Sequence, residues 1–136
     1  MALIRVSKAS GGQPVETNLW TNPTPTASTF AAQDVTLSED IDDFDYIKIT
    51  WCASPSEDAE NSIYVTPAAL KASVSGGSTS SPVSEIIIGS QITSFLYRRI
   101  HYLTDTSVNI TVAYQQGGSQ TGAGWVIPIS IKGVKY

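Results

Sequence analysis

Strict two-residue alternation of apolar and polar side chains restricts what this chain can fold into more than any other feature. Val108, Ile110, Val112 and Tyr114 alternate with Asn109, Thr111 and Ala113, and Ile127, Ile129 and Ile131 alternate with Pro128, Ser130 and Lys132. Within Phe44 to Cys52, Ile47, Ile49 and Trp51 fall on one side while Tyr46, Lys48 and Thr50 fall on the other. Successive side chains of a strand point to opposite faces of a sheet, so these stretches predict antiparallel strands with one buried and one wet face. Trp51 is expected in the core.

The rest of the chain punctuates this pattern. Lys8 to Gly12 breaks regular structure, and Thr21-Asn22-Pro23-Thr24-Pro25-Thr26 must run extended or turning, because each proline drives its predecessor out of the helical region. Further strands are expected over Phe30 to Leu37, Ile63 to Val65, Val83 to Ile88 and the aromatic-rich Phe95 to Leu103. Ala68 to Val74 reads equally as a helical turn or an edge strand. The Ser-Gly segment 75–82 has a linker's composition, and the polar, Gly-rich segment Gln115 to Gly124 is long for a hairpin loop. Seven or eight short strands at this spacing predict a single all-β domain, an antiparallel β-sandwich, with a jelly roll as one possible topology.

Composition narrows function by exclusion. A single core suffices for 136 residues. Charged residues are 15% of the chain, below the roughly 25% usual for soluble domains, which fits β-rich structure or a surface covered by partners. The net charge of −4 argues against nucleic acid or an anionic membrane as partner, since both need a basic footprint. No apolar run reaches the ~20 residues of a membrane span, and the opening residues do not read as a signal peptide, so the expectation is a soluble protein made in a cytoplasm. The lone Cys52 permits no intrachain disulfide and is expected to be a buried thiol.

Candidate chemistry is sparse. His101 is the sole histidine, and no G-x-S-x-G elbow accompanies it, so it is expected to be a strand or interface residue rather than a base. One cysteine and one histidine do not make a zinc site. Glu39, Asp40, Asp42, Asp43 and Asp45 could offer oxygens to Ca²⁺, but their spacing is not that of an EF-hand, and a solvated acidic turn is expected. A glycosidase pair such as Glu57 and Glu85 is conceivable without anything to single it out. No catalytic residue, metal or cofactor is therefore assigned.

Binding residues are better represented. Trp125, at the rim of the Gly-rich loop, is the aromatic best placed for exposure, followed by Trp20; with Gln115, Gln116 and Gln120 these form the candidate ligand-binding set. Arg98 and Arg99, expected one on each side of their strand, could pair with the acidic turn in the same chain or across a subunit boundary. With His101 they form the candidate subunit-contact set.

The stretch Leu19-Trp20-Thr21-Asn22-Pro23-Thr24-Pro25-Thr26-Ala27-Ser28-Thr29-Phe30-Ala31-Ala32-Gln33 resembles an element that opens a β domain in tailed-bacteriophage virion proteins of the tail-fibre tip, receptor-binding and minor structural group. Tyr46-Ile47-Lys48-Ile49 resembles the strand that follows it there. Arg98-Arg99-Ile100 and the closing Ile127-Pro128-Ile129-Ser130-Ile131-Lys132-Gly133-Val134-Lys135 resemble the group's ending, so the likeness spans about residues 19 to 135. The resemblance implies a virion component, commonly a homotrimer, whose β-sandwich contacts the host cell surface, a polysaccharide or a protein; the sparse chemistry makes it a non-enzymatic one. It also implies an attachment arm over residues 1–18, docking other virion proteins, ahead of a β-sandwich over 19–136. An arm this short also suits a decoration, head-fibre or adaptor protein without a host ligand, and a small capsule-degrading hydrolase is the remaining alternative.

Overall fold

A computed structural model of the chain describes residues 13–54, 59–75, 85–91 and 94–136. Two antiparallel sheets pack face to face as one sandwich. The first has four strands in the order β1 (Val15–Thr21), β9 (Ile127–Lys135), β3 (Tyr46–Cys52) and β4 (Glu60–Val65). The second has the order β2 (Gln33–Thr36), β7 (Ser107–Ile110), β6 (Phe95–Thr104) and β5 (Ile86–Gln91), with the short β8 (Tyr114–Gln115) also on β6. The chain crosses from one sheet to the other between β1 and β2, β2 and β3, β4 and β5, and β8 and β9. By contrast, β3–β4 is a plain hairpin and β5–β6–β7 a meander.

The core follows from the alternation. Ile47, Ile49 and Trp51 are buried, as expected, and meet Ile88, Leu96, Ile100, Val108 and Ile110 of the opposite sheet in one cluster. Trp51 also ties the sheets through a polar bond, its Nε1 donating to Gly89 O at 3.1 Å. Cys52 is buried among the same residues. Two glycines permit close ring contact. A Cβ at Gly133 would clash with the Phe44 ring, and one at Gly89 would lie 2.5 Å from Phe95 Cζ.

Several expectations are corrected. Residues 15–18, expected in the arm, are part of strand β1, which pairs along β9 from Val15↔Lys135 to Thr21↔Ser130. Residues 1–12 lie outside the described residues. Phe30 and Leu37 are buried, but the strand between them spans only Gln33–Thr36. Pro67–Lys71 is helical (α1), with Thr66 Oγ1 capping Ala69 N at 3.1 Å and Pro67 in the first turn, where a missing N–H costs nothing. In β9 a register shift opposite Thr50/Trp51 leaves Ile129 unpaired with β3. Ile127 and Ile131 are fully buried, whereas Ile129 lines a groove on the outer face. Val83, Glu57 and 76–82 lie outside the described residues.

Candidate functional site

Strand β6 carries the chemistry. From Phe95 to His101 burial alternates strictly: Leu96, Arg98 and Ile100 face the core, and Phe95, Tyr97, Arg99 and His101 face outward and are half-buried. The register adds Tyr114 of β8 beside Tyr97, Asn109 of β7 beside His101, and Ile87 of β5 beside Arg99.

On the outer face these residues form an aromatic ladder. Phe95 and Tyr97 stack with centroids 5.5 Å apart and planes at 17°, and Tyr97 and Tyr114 stack at 5.6 Å and 28°. The Arg99 guanidinium carbon lies 5.5 Å from the Tyr97 centroid and 5.1 Å from that of Tyr114, within cation–π range of both. Arg99 Nε is 3.1 Å from Glu85 Oε1 as an ion pair, although its N–H is not aimed for a hydrogen bond. Tyr97 is thus stacked between Phe95 and Tyr114. Asn109 Nδ2 donates to Asp34 Oδ1 at 2.8 Å farther along. Burial, and then the Arg99 charge, hold the His101 pKa below its ordinary value, with Glu85 acting the other way.

Arg98 is not the subunit contact it was expected to be. Its side chain is fully buried, and it is neither solvated nor paired with the acidic turn. Its fork donates to carbonyls outside the named strands: Nε to Val126 O at 2.8 Å, Nη1 to Thr111 O at 2.9 Å, and Nη2 to Ala123 O at 3.0 Å and Trp125 O at 3.1 Å. The guanidinium carbon also stands 5.2 Å from the Phe30 ring centroid. Burial lowers its pKa to about 10, so it is still charged at neutral pH. The carbonyls it holds flank Val126, whose φ of 53° is costly for a β-branched residue. A bond from Val126 N to Ala53 O at 2.8 Å fixes the other side.

Arg98 thereby anchors the exit of the Gly-rich loop. The loop's entry is fixed by Gln116 N donating to Phe95 O at 2.9 Å, and by Gln115 N and Thr121 N donating to Ser119 O and Ala113 O. Gly117 and Gly118 take positive φ at its tip. Gln115, Gln116 and Gln120 are exposed on this loop, Gln115 following Tyr114 in β8 and Gln120 bridging back to Tyr114. The two tryptophans sit elsewhere. Trp20 meets Phe30 edge-on at 6.2 Å, and Trp20 and Trp125 both pack, partly buried, against the core.

The acidic turn is closed by a cation of its own. Asp40, Asp42 and Asp105 bring carboxylate oxygens within 4.8 Å of one another, and Lys71 Nζ lies 2.6 Å from Asp42 Oδ2 and 3.5 Å from Asp105 Oδ1. Tyr102 OH donates to Asp105 at 2.6 Å and is the main reason that carboxyl titrates below its usual range. Asp45 accepts from Tyr136 N at 2.8 Å.

Fold and face together define an antiparallel β-sandwich with a half-exposed aromatic and arginine surface on its five-stranded sheet. Set against known proteins, the chain matches no family model and no curated sequence.

Proposed function

We propose that this chain is a non-catalytic virion component of a tailed bacteriophage, which assembles as a homotrimer through the outer face of its five-stranded sheet. Its exposed Gln115 to Gly124 loop then faces a host cell surface. The observation that carries the assembly reading is the ladder of Phe95, Tyr97 and Tyr114 with Arg99 between rings. A wet sheet face in an isolated domain ordinarily carries small polar side chains, whereas tyrosine, phenylalanine and arginine are the residues enriched at the centres of protein interfaces. The virion assignment rests on the sequence resemblance across residues 19 to 135. Three copies holding one loop each would make weak single contacts with a cell effective together.

Sedimentation mass at micromolar concentration tests the assembly. A trimer is expected for the intact chain and a monomer, still folded by circular dichroism, for the Tyr97→Asp, Tyr114→Asp double variant. An intact chain that stays monomeric would sink the reading. Binding of the purified protein to susceptible bacterial cells tests the second half, and failure to bind would favour a decoration or head-fibre role instead.

A further inference from the structure

The outer face of the four-stranded sheet carries a groove of about 460 Å³ that the assembly reading does not use. Strand register places its side chains in two lines. Asn18, Lys132, Lys48 and Tyr64 lie side by side across β1, β9, β3 and β4, and Thr21, Ser130, Thr50 and Ser62 form the adjacent line. The second line is a row of hydroxyls across all four strands. Thr50 and Ser130 form the floor, and Thr50 and Ser62 share a hydrogen bond at 2.8 Å. Tyr64 stands at the rim, 49% exposed, with Lys48 Nζ 5.6 Å from its ring centroid.

The lysines are the informative feature. Like charges directly opposite on neighbouring strands are destabilising, yet Lys48 and Lys132 occupy such a pair. Glu16 reaches both, at 3.2 Å and 3.7 Å, but one carboxylate leaves one of two ammonium charges unbalanced. The other acid of the groove, Glu60, is registered with Cys52, four residues along β3 from Lys48. At ~3.3 Å per residue this sets its backbone about 13 Å from that of Lys48, at the other end of the groove. One end of the groove is therefore locally positive on a chain whose net charge is −4.

We infer that this groove binds an acidic oligosaccharide. A sugar carboxylate lies over Lys48 and Lys132 on the side away from Glu16, where each ammonium keeps donors that the Glu16 carboxylate does not take. Sugar hydroxyls pair with the row from Thr21 to Ser62, whose members both donate and accept. One sugar ring lies on the exposed side of Tyr64. The inference is independent of the assembly reading, since it concerns the opposite sheet and its test does not read oligomeric mass.

Calorimetric titration of the intact chain with tetragalacturonate, beside uncharged maltotetraose, tests it. Saturable binding of the acidic sugar alone is expected, weaker at high salt and weakened about tenfold by each of Lys48→Met and Lys132→Met, as for loss of a charge-assisted bond. Lys132→Arg, which keeps the charge, should retain most of the binding, and Tyr97→Asp on the other face should leave it unchanged. The inference is overturned if tetragalacturonate shows no saturable binding, if maltotetraose binds equally well, or if binding survives both Lys→Met substitutions.

Discussion

The two outer faces of this sandwich share one backbone geometry and carry opposite chemistry. On the five-stranded sheet, Phe95, Tyr97, Tyr114 and Arg99 stack into one another and leave little side-chain freedom. On the four-stranded sheet, hydroxyls, an amide and two lysines line an open groove. The sides behind them differ too. Behind the ladder lies a charged side chain, Arg98, whereas behind the groove lie Ile47, Ile49 and Ile131. An aromatic face requires rigid support from beneath, and a polar face tolerates change. That difference can be broken at measurable points.

The largest effect is expected at Arg98. Arg98→Met removes a desolvated charge, which is favourable, but it takes the arginine donors from the carbonyls of Thr111, Trp125 and Val126, while Ala123 O keeps its bond from Phe30 N. Buried groups without partners dominate, so a loss of about 3 kcal/mol or more is expected in urea unfolding. Arg98→Lys should recover little, because an ammonium lacks the planar fork. Were Arg98→Met as stable as the intact chain, the carbonyls would have other partners and the contrast between the faces would fail.

Next comes Gly89→Ala, whose methyl would press on the Phe95 ring at 2.5 Å and on Leu96 O at 2.8 Å. Overpacking of this kind costs about 1–3 kcal/mol. A lower thermal midpoint together with altered near-ultraviolet aromatic dichroism would show that the ladder itself is disturbed.

Acid should weaken the aromatic side by smaller steps. His101 titrates below 6.5 in the folded chain, so the unfolded chain takes up this proton first as pH falls. Its contribution is complete above about pH 6.5 and declines as pH drops through the lower folded value. H101Q should flatten that part of a midpoint-against-pH curve. Asp105 acts in the same direction at lower pH, below its ordinary 3.8, where protonation weakens its bonds to Tyr102 and Lys71. A curve unchanged by H101Q would remove the histidine from this account.

The smallest effect belongs to the polar face. Lys132→Met takes away one half-exposed ammonium and relieves the like-charge pair with Lys48 while losing Glu16. Opposed terms of this size leave stability within about 0.5 kcal/mol of the intact chain. A large loss in the same urea experiment would mean that the groove is part of the scaffold rather than a surface free to bind.

The fold class and the central strands β3, β6 and β9 were legible in the residue pattern alone, because half-buried strands write their two faces into every second residue. Trp51 was legible as core for that reason. Strand β1 was not: in Val15 to Thr21 only Leu19 is buried, as befits an edge strand, and an edge leaves too little apolar pattern to read. Alternation also told that Arg98 and Arg99 face opposite ways without telling which way is inward. A charged residue inside is admissible only if its donors are satisfied, and here they are met by carbonyls 13 to 28 residues distant in sequence, which no local pattern records. The ladder was missed for a similar reason. Tyr97 and Tyr114 become neighbours only through the pairing of β6 with β8, and Lys48 and Lys132 only through that of β3 with β9. Period and composition are local properties of the chain, whereas register is decided by the closing of the two sheets over one core, so the strands could be read in advance and their juxtaposed side chains could not.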